Sequence, residues 1–147
     1  MKDVTSPAPE LVAEVVYQTD LEGIGAADLQ GFFVDWPSPP SQERHLAALH
    51  GSDHVVLARD RKSGRIVGMV TAVSDGALAA YIPLLEVLPE HQGRGIGTEL
   101  LRRLLAQLER LYMVDLTCDP ELEPYYQRFG MIRLGGMGFR NHSVLGD

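Results

Sequence analysis

The sequence predicts an α/β (α+β) fold with a mixed, mostly antiparallel central sheet, a splayed pair of parallel strands and about four helices. Apolar, β-branched stretches alternate with turn signals through the middle of the chain, which is typical of an antiparallel meander. A leucine-rich helical pattern then joins two strand-like stretches, as in a βαβ unit with parallel strands. The chain has 147 residues, of which 45% are hydrophobic and 22% charged. We therefore expect a single domain over residues 1–147, with residues 1–10 as a flexible arm.

The first third of the chain predicts one strand and two helices. Leu11–Thr19 is short and β-branched, which favours a strand. Ala26–Phe33 has the composition of a helix, and the prolines that follow Trp36 prevent its continuation. Ser41 is a suitable N-cap for a second helix that runs through Leu49.

Three strands follow, separated by two turn sequences. His54–Asp60 and Ile66–Ser74 flank the turn "DRKSGR", and the dipeptide "DG" begins the next turn. Ala77–Val87 is the third strand, and Pro83 within it indicates an edge position or a bulge.

The clearest predicted element is a long helix in the second half of the chain. Six leucines recur at helical spacing between residues 100 and 111, and most of the polar residues lie outside that stripe. Val114–Thr117 is the strand after it, and "ELEPYYQRFG" is a short helix that ends at Gly130. We expect Met131–Val144 to hold two short strands.

Composition argues against several classes of protein. The formal net charge of −7 disfavours nucleic acid as a partner, because phosphate binding needs a basic face, and suits a cationic substrate such as an amine. No apolar run approaches the roughly 20 residues that span a bilayer, so we expect no membrane partner and a cytoplasmic location. Cys118 is the only cysteine, which excludes an internal disulfide bond and a cysteine zinc cluster. The histidines have no metal-binding spacing, so we predict no metal ion.

A glycine loop, Gln92–Gly97, stands directly before the leucine-rich helix. Its glycines occupy every second position, at Gly93, Gly95 and Gly97. A helix N-terminus presents unpaired N–H groups and the positive end of the helix dipole, and glycines allow a bulky anion to reach them. The loop therefore indicates a phosphate or pyrophosphate ligand, with Arg94 as an additional charged contact. It lacks the Gly-Lys-Ser/Thr of a Walker loop and the third glycine of a dinucleotide fingerprint.

Two motifs carry a resemblance to a known family. Gln92–Gly97 reads Gln-Gly-Arg-Gly-Ile-Gly, which fits the pattern Gln/Arg-x-x-Gly-x-Gly/Ala, and it follows the lead-in "LLEVLPEH". Pro124–Gly130 reads "PYYQRFG", with Tyr126 in the place of a tyrosine that precedes a helix-ending glycine. Over roughly Ile66 to Phe139 the sequence resembles the GNAT superfamily of acyl-CoA-dependent N-acyltransferases.

The resemblance implies a coenzyme A site. The pantetheine arm carries two amides, and it is expected to pair like an added strand with Leu85, Glu86 and Val87, where the family splays two parallel strands. Asp119 departs from the family, since many relatives have an asparagine there that contacts the coenzyme, and we assign it no role. The pyrophosphate is expected on the backbone of Gln92, Gly93, Arg94, Gly95, Ile96, Gly97 and Thr98.

The reaction that the resemblance implies is direct transfer of an acetyl group from acetyl-CoA to a primary amine in a ternary complex. A primary ammonium must lose its proton before it attacks, and Glu86 is the candidate general base, directly or through water. Tyr126 is the candidate general acid for the leaving thiolate. Glu121 and Glu123 are alternative bases, and Cys118 leaves an acyl-cysteine route open.

The acceptor side and the assembly are less defined. By resemblance, residues 26–49 line the acceptor side, where Trp36, Phe32 and Phe33 form either an aromatic wall or part of the core. The acceptor amine is a small molecule or a peptide, and the protein is a monomer or a homodimer. A second hypothesis is a non-catalytic acyl-CoA-binding module with a sensory or regulatory role.

Overall fold

The computed structural model describes residues 14–146 and contains one six-stranded mixed sheet with three α-helices and short 3-10 turns. The predicted fold class is confirmed, although three α-helices are present in this part of the chain where about four helices were expected. The predicted arm, residues 1–10, lies outside the described residues. The helices are α1 (Gln42–Gly51), α2 (Ile96–Gln107) and α3 (Glu123–Gln127). The strands are β1 (Val15–Gln18), β2 (His54–Asp60), β3 (Ile66–Ser74), β4 (Ala79–Tyr81), β5 (Leu85–Val87) and β6 (Met113–Asp115).

Strands β1, β2 and β3 form the antiparallel part of the sheet. Strand β2 pairs with β1 on one side and with β3 on the other, with Val56 opposite Val70. Both β2 and β3 have the bounds that the sequence predicts, because their apolar runs end at strong turn signals. Their central residues are buried on both faces and form the middle of the core.

The predicted strand Ala77–Val87 is interrupted, and this interruption shapes the rest of the sheet. Strands β4 and β5 both pair with β3, with Tyr81 opposite Val73 and Leu85 opposite Val70. Three residues, 82–84, therefore lie opposite two residues of β3, which makes a bulge. Pro83 lies within it and has no N–H to donate, so the prediction of a bulge at this proline is confirmed.

The bulge ends the pairing with β6, so that β5 and β6, which run parallel, are separated. Strand β6 pairs with β4 in parallel, with Val114 opposite Ala80. One further hydrogen bond follows, from the Ile82 N–H to the Asp115 carbonyl at 2.9 Å, and beyond it β5 pairs with β3 alone among the described strands. The outer edge of β5 is therefore open, which is the splay that the sequence predicts.

Helix α2 covers the sheet as the βαβ crossover. Its leucine stripe is buried, with Leu100, Leu101 and Leu104 fully inaccessible to solvent. The helix lies close to β3 at Gly68, where an added Cβ would lie 3.0 Å from Leu100 Cδ1. Glycine at this position lets helix and sheet approach one another.

Two predicted elements are wrong. Only Ala26–Leu29 of the helix predicted over Ala26–Phe33 forms, as a single 3-10 turn, because Gln30 is extended and Gly31 adopts a left-handed φ of +90°. Residues 131–141 contain no strand, and their apolar side chains are exposed, for example Phe139 at 84%. A strand needs a hydrogen-bonding partner, and none of the described strands pairs with this segment.

Candidate functional site

The glycine loop leaves β5 and enters α2 through two left-handed residues. Gly93 has a φ of +80° and Gly95 has a φ of +83°, and Gly95 is the N-cap of α2. A Cβ at either position would meet no atom within 4 Å, so backbone conformation requires the glycines and the space before them is open. The Gln92 side-chain amide donates to the Val87 carbonyl at 2.9 Å, which ties the loop to β5.

The charges around the loop suit an anion. The first N–H groups of α2 lack intrahelical partners and carry the positive end of the helix dipole. Arg94 is partly exposed, and its guanidinium lies 3.7 Å from the Glu14 carboxylate. Glu99, in the first turn of α2, is neutralised locally by hydrogen bonds from Arg102 and Arg103, and the Arg102 bond is the main cause that lowers its pKa. The donor set therefore fits a pyrophosphate, the ligand that the sequence predicts.

The third glycine of the loop lies where three elements meet. A Cβ at Gly97 would lie 3.6 Å from both the Tyr125 hydroxyl and Val87 Cγ2, which is ordinary van der Waals contact. The Tyr125 hydroxyl also lies 3.2 Å from Thr98 Oγ1, at the first turn of α2. Helices α2 and α3 and strand β5 are therefore in contact at Gly97. The sequence analysis missed Tyr125, since the motif directs attention to its neighbour.

Tyr126 is half-buried on the same short helix. Its ring packs edge-on against Tyr125, with ring centroids 5.1 Å apart. Burial, with smaller contributions from Tyr125 and Cys118, raises the pKa of Tyr126 to about 12. The phenol keeps its proton at neutral pH, as it would at its ordinary pKa of 10.0, and burial makes it a weaker acid.

The remaining candidates on this side of the sheet are engaged or exposed. Glu123 accepts hydrogen bonds from Arg133, the shorter at 2.8 Å, and Glu121 is exposed. Cys118 is exposed, and desolvation with the nearby carboxylates, Glu123 foremost, raises the pKa of its thiol. A raised thiol pKa leaves little thiolate, which disfavours the acyl-cysteine route.

Glu86 points from β5 toward the segment before α1. Its carboxylate accepts the Phe33 N–H at 2.9 Å on Oε1 and 2.8 Å on Oε2, and the Val34 N–H at 3.3 Å on Oε2. The backbone of Glu86 pairs with Met69 of β3, so the side chain extends from a fixed position in the sheet. Glu86 thus connects the predicted coenzyme strand to the predicted acceptor region.

The aromatic turn, Phe33–Trp36, receives these bonds. Phe33 has a φ of +65° and Asp35 a φ of +70°, and such conformations cost about 1–2 kcal/mol each for residues with a side chain. The Trp36 N–H donates to the Phe33 carbonyl at 3.2 Å, which closes the turn. Phe33 is buried against the His45 ring, with centroids 4.7 Å apart, whereas Trp36 is 45% exposed. Phe33 therefore belongs to the core, as does the buried Phe32, and only Trp36 presents an aromatic surface.

The predicted coenzyme residues come together at one end of the sheet, but not in an enclosed cavity. Val87 of β5 and Tyr125 of α3 meet at Gly97 of the glycine loop, and Tyr126 is the next residue of α3. A cavity of about 550 Å³ lies elsewhere, near the C-terminal ends of α1 and α2, and its lining includes His50, His54 and Gln107. The outer edge of β5 has no strand partner among the described strands, whereas that cavity contains none of the predicted site residues.

Residues 14–146 hold no group of three or more histidine, cysteine, aspartate or glutamate side chains placed to bind a metal ion. Within the same range, no α-helix is long and apolar enough to cross a membrane.

The family of the chain follows from comparison with known proteins. The sequence profile of the Acetyltransferase (GNAT) family matches residues 21–131, which include the glycine loop, β5 and α3. The chain belongs to this family. The predictions of GNAT membership and of an acyltransferase are thereby confirmed, and the family uses acetyl-CoA as acetyl donor.

Individual relatives agree with this assignment. A crystal structure of a candidate acetyltransferase from Deinococcus radiodurans R1 is 45% identical, has a TM-score of 0.86, and covers 90% of this chain and 92% of its own. An uncharacterized N-acetyltransferase, ycf52 of Porphyra purpurea, is 26% identical over 80% of this chain and 71% of its own. GCN5-related N-acetyltransferase 2, chloroplastic, of Arabidopsis thaliana is 30% identical over 82% of this chain. The chain spans only 54% of the length of that Arabidopsis protein.

Proposed function

We propose that the protein transfers an acetyl group from acetyl-CoA to a primary amine by direct transfer in a ternary complex. The observation that carries this proposal is the open edge of β5 beside the N-terminus of α2. The edge offers unpaired strand groups, and the glycine loop next to it offers helix N–H groups to an anion. Coenzyme A needs both, because its extended, amide-bearing pantetheine arm is joined to a pyrophosphate.

Different residues are proposed to bind different parts of coenzyme A. The backbone of Leu85 and Val87 would pair with the pantetheine amides, while the backbone of Glu86 between them pairs with β3. The N–H groups of Gly93, Arg94, Gly95, Ile96, Gly97 and Thr98 would hold the pyrophosphate, with the Arg94 side chain at the rim. The Gln92 N–H already donates to the Pro89 carbonyl at 3.2 Å. Acetyl-CoA supplies the acetyl group in activated form, as a thioester.

Two side chains are proposed to handle protons. Glu86 takes the proton of the ammonium through a water molecule, because its carboxylate oxygens already accept the N–H groups of the aromatic turn. Tyr126 gives its proton to the departing thiolate. The place of Tyr126 in the motif supports this role; its raised pKa, about 12, does not, since a phenol is protonated at neutral pH without that shift.

The acceptor is proposed to be a small-molecule or peptide amine. The net charge of −7 favours a cation, and this charge is also unfavourable for nucleic acid. A cytoplasmic location without a membrane partner is part of the same proposal, which leaves monomer and homodimer both open.

Replacement of Tyr126 by phenylalanine tests catalysis against a sensory role. We expect Tyr126→Phe to keep coenzyme A affinity while kcat falls by roughly a hundredfold or more, the usual contribution of a general acid. Tyr112→Phe is the matched control, because Tyr112 is 84% exposed and follows the C-terminal end of α2, whereas the glycine loop precedes its N-terminal end. Unchanged kcat in Tyr126→Phe would remove this residue from the mechanism. Binding of acetyl-CoA without turnover of any amine by the wild type would favour the sensory module.

A further inference from the structure

We propose that Glu86 is a positioning residue, in addition to its proposed role as base: its carboxylate holds the aromatic turn and so fixes the acceptor side of the site. The name "acceptor side" rests on the proposed function. The hydrogen bonds between Glu86 and the turn are observed in the structure and do not depend on that function.

The turn depends on support from outside itself. It contains two non-glycine residues with left-handed φ, Phe33 and Asp35, and such conformations persist only where the surroundings enforce them. Within the turn, one backbone hydrogen bond, from the Trp36 N–H to the Phe33 carbonyl, closes the turn. Burial of the Phe33 ring anchors one end of the turn, and the Glu86 carboxylate supplies a long-range polar restraint on its backbone, since it binds two consecutive N–H groups from 53 and 52 positions away in the sequence. Hydrogen bonds to an ionised carboxylate are about twice as strong as neutral ones.

The position of Glu86 makes this restraint relevant to function. Its neighbours Leu85 and Val87 are the proposed partners of the pantetheine arm, and β3 holds all three in register. One side chain thus connects the donor strand with a turn that presents the exposed Trp36. Loss of the carboxylate should therefore weaken acceptor binding and leave coenzyme affinity nearly unchanged.

Trp36 permits a test that does not require activity. It is the only tryptophan in the chain, so acrylamide quenching of intrinsic fluorescence reports on the aromatic turn. We expect Glu86→Ala to raise the quenching constant, because the turn loses its restraint. Glu86→Gln should stay near the wild type, since the amide oxygen can still accept both N–H groups. Glu86→Asp keeps the charge but is one methylene shorter, so it should resemble Glu86→Ala.

Kinetics with an amine substrate separate the two roles of Glu86. Relative to Glu86→Gln, Glu86→Ala should raise the acceptor KM by up to about tenfold, the effect of losing a hydrogen bond between neutral groups, at nearly constant coenzyme A affinity. A base role appears instead as a lower kcat and an altered pH profile in Glu86→Gln. The control is Glu109→Ala, an exposed glutamate beyond the C-terminal end of α2, which should behave as the wild type.

The outcomes are distinct. Equal quenching constants in the wild type and all three Glu86 variants would overturn the positioning role. If Glu86→Ala does not fold, the contrast between Glu86→Asp and Glu86→Gln decides in the same way. If the wild type acetylates no amine, the proposed function fails while the quenching series still decides whether Glu86 holds the turn.

Discussion

Replacement of Gly95 by glutamate tests where the pyrophosphate binds. Gly95 is the N-cap of α2, and the backbone N–H groups of the residues around it are the proposed hydrogen-bond donors to the pyrophosphate. A glutamate there would place a carboxylate where the coenzyme phosphates are expected. We therefore expect Gly95→Glu to weaken coenzyme A binding at least about thirtyfold, because like charges in contact cost several kcal/mol.

The structure also predicts the effect on stability, which a matched control separates from binding. A side chain at Gly95 meets no atom within 4 Å, so the penalty is its φ of +83° alone, about 1–2 kcal/mol. For a domain of this size such a penalty lowers Tm by roughly 2–8 °C. Gly76 lies in the turn between β3 and β4 with a φ of +74° and equally open surroundings, so Gly76→Glu should lose similar stability.

Thermal unfolding, followed by circular dichroism, first gives the Tm of each variant. Titration calorimetry with coenzyme A on the folded proteins then gives their dissociation constants. We expect similar Tm values for the two proteins and weak coenzyme binding only in Gly95→Glu. Equal dissociation constants in Gly95→Glu and Gly76→Glu would refute the placement of the pyrophosphate on this loop.

Two further predictions concern the core. His45 is 2% exposed, neither ring nitrogen has a hydrogen-bond partner, and burial lowers its pKa from 6.5 to about 4. The unfolded chain therefore takes up this proton first, so stability present above pH 6.5 is lost as the pH falls toward 4, by up to about 3 kcal/mol. Urea unfolding across this range should show a shallower pH dependence in His45→Leu, and parallel curves would contradict the assignment. Leu104→Ala should lower the free energy of unfolding by about 2–5 kcal/mol, whereas Leu78→Ala, at a 52% exposed residue, should change it by about 0.5 kcal/mol or less. Equal urea midpoints would contradict the packing of α2.

The sequence predicted the elements that local chemistry determines. Ser41 caps α1 through its hydroxyl, which accepts the Arg44 N–H at 3.1 Å, as its position before the helix indicates. The alternation of apolar runs with turns gave the bounds of β2 and β3. The helix predicted over Ala26–Phe33 failed because Gly31 takes a left-handed conformation that the composition does not reveal.

The site was predictable only where its residues are neighbours in the chain. The glycine loop is such a stretch, and the left-handed φ values of Gly93 and Gly95 add a conformational reason for glycine to the predicted one, which was the approach of an anion. The bond between Glu86 and Phe33 joins residues 53 positions apart, so no local pattern signals it. The placement of the Tyr125 hydroxyl beside Thr98 likewise depends on the packing of α3 against α2, not on the motif that selected Tyr126.

The most direct test of the account is release of free thiol from acetyl-CoA in the presence of a panel of primary amines. The account predicts thiol release that depends on both the protein and one class of amine, and that falls sharply in Tyr126→Phe. No amine-dependent thiol release by a protein that binds acetyl-CoA would contradict the proposed acetyl transfer.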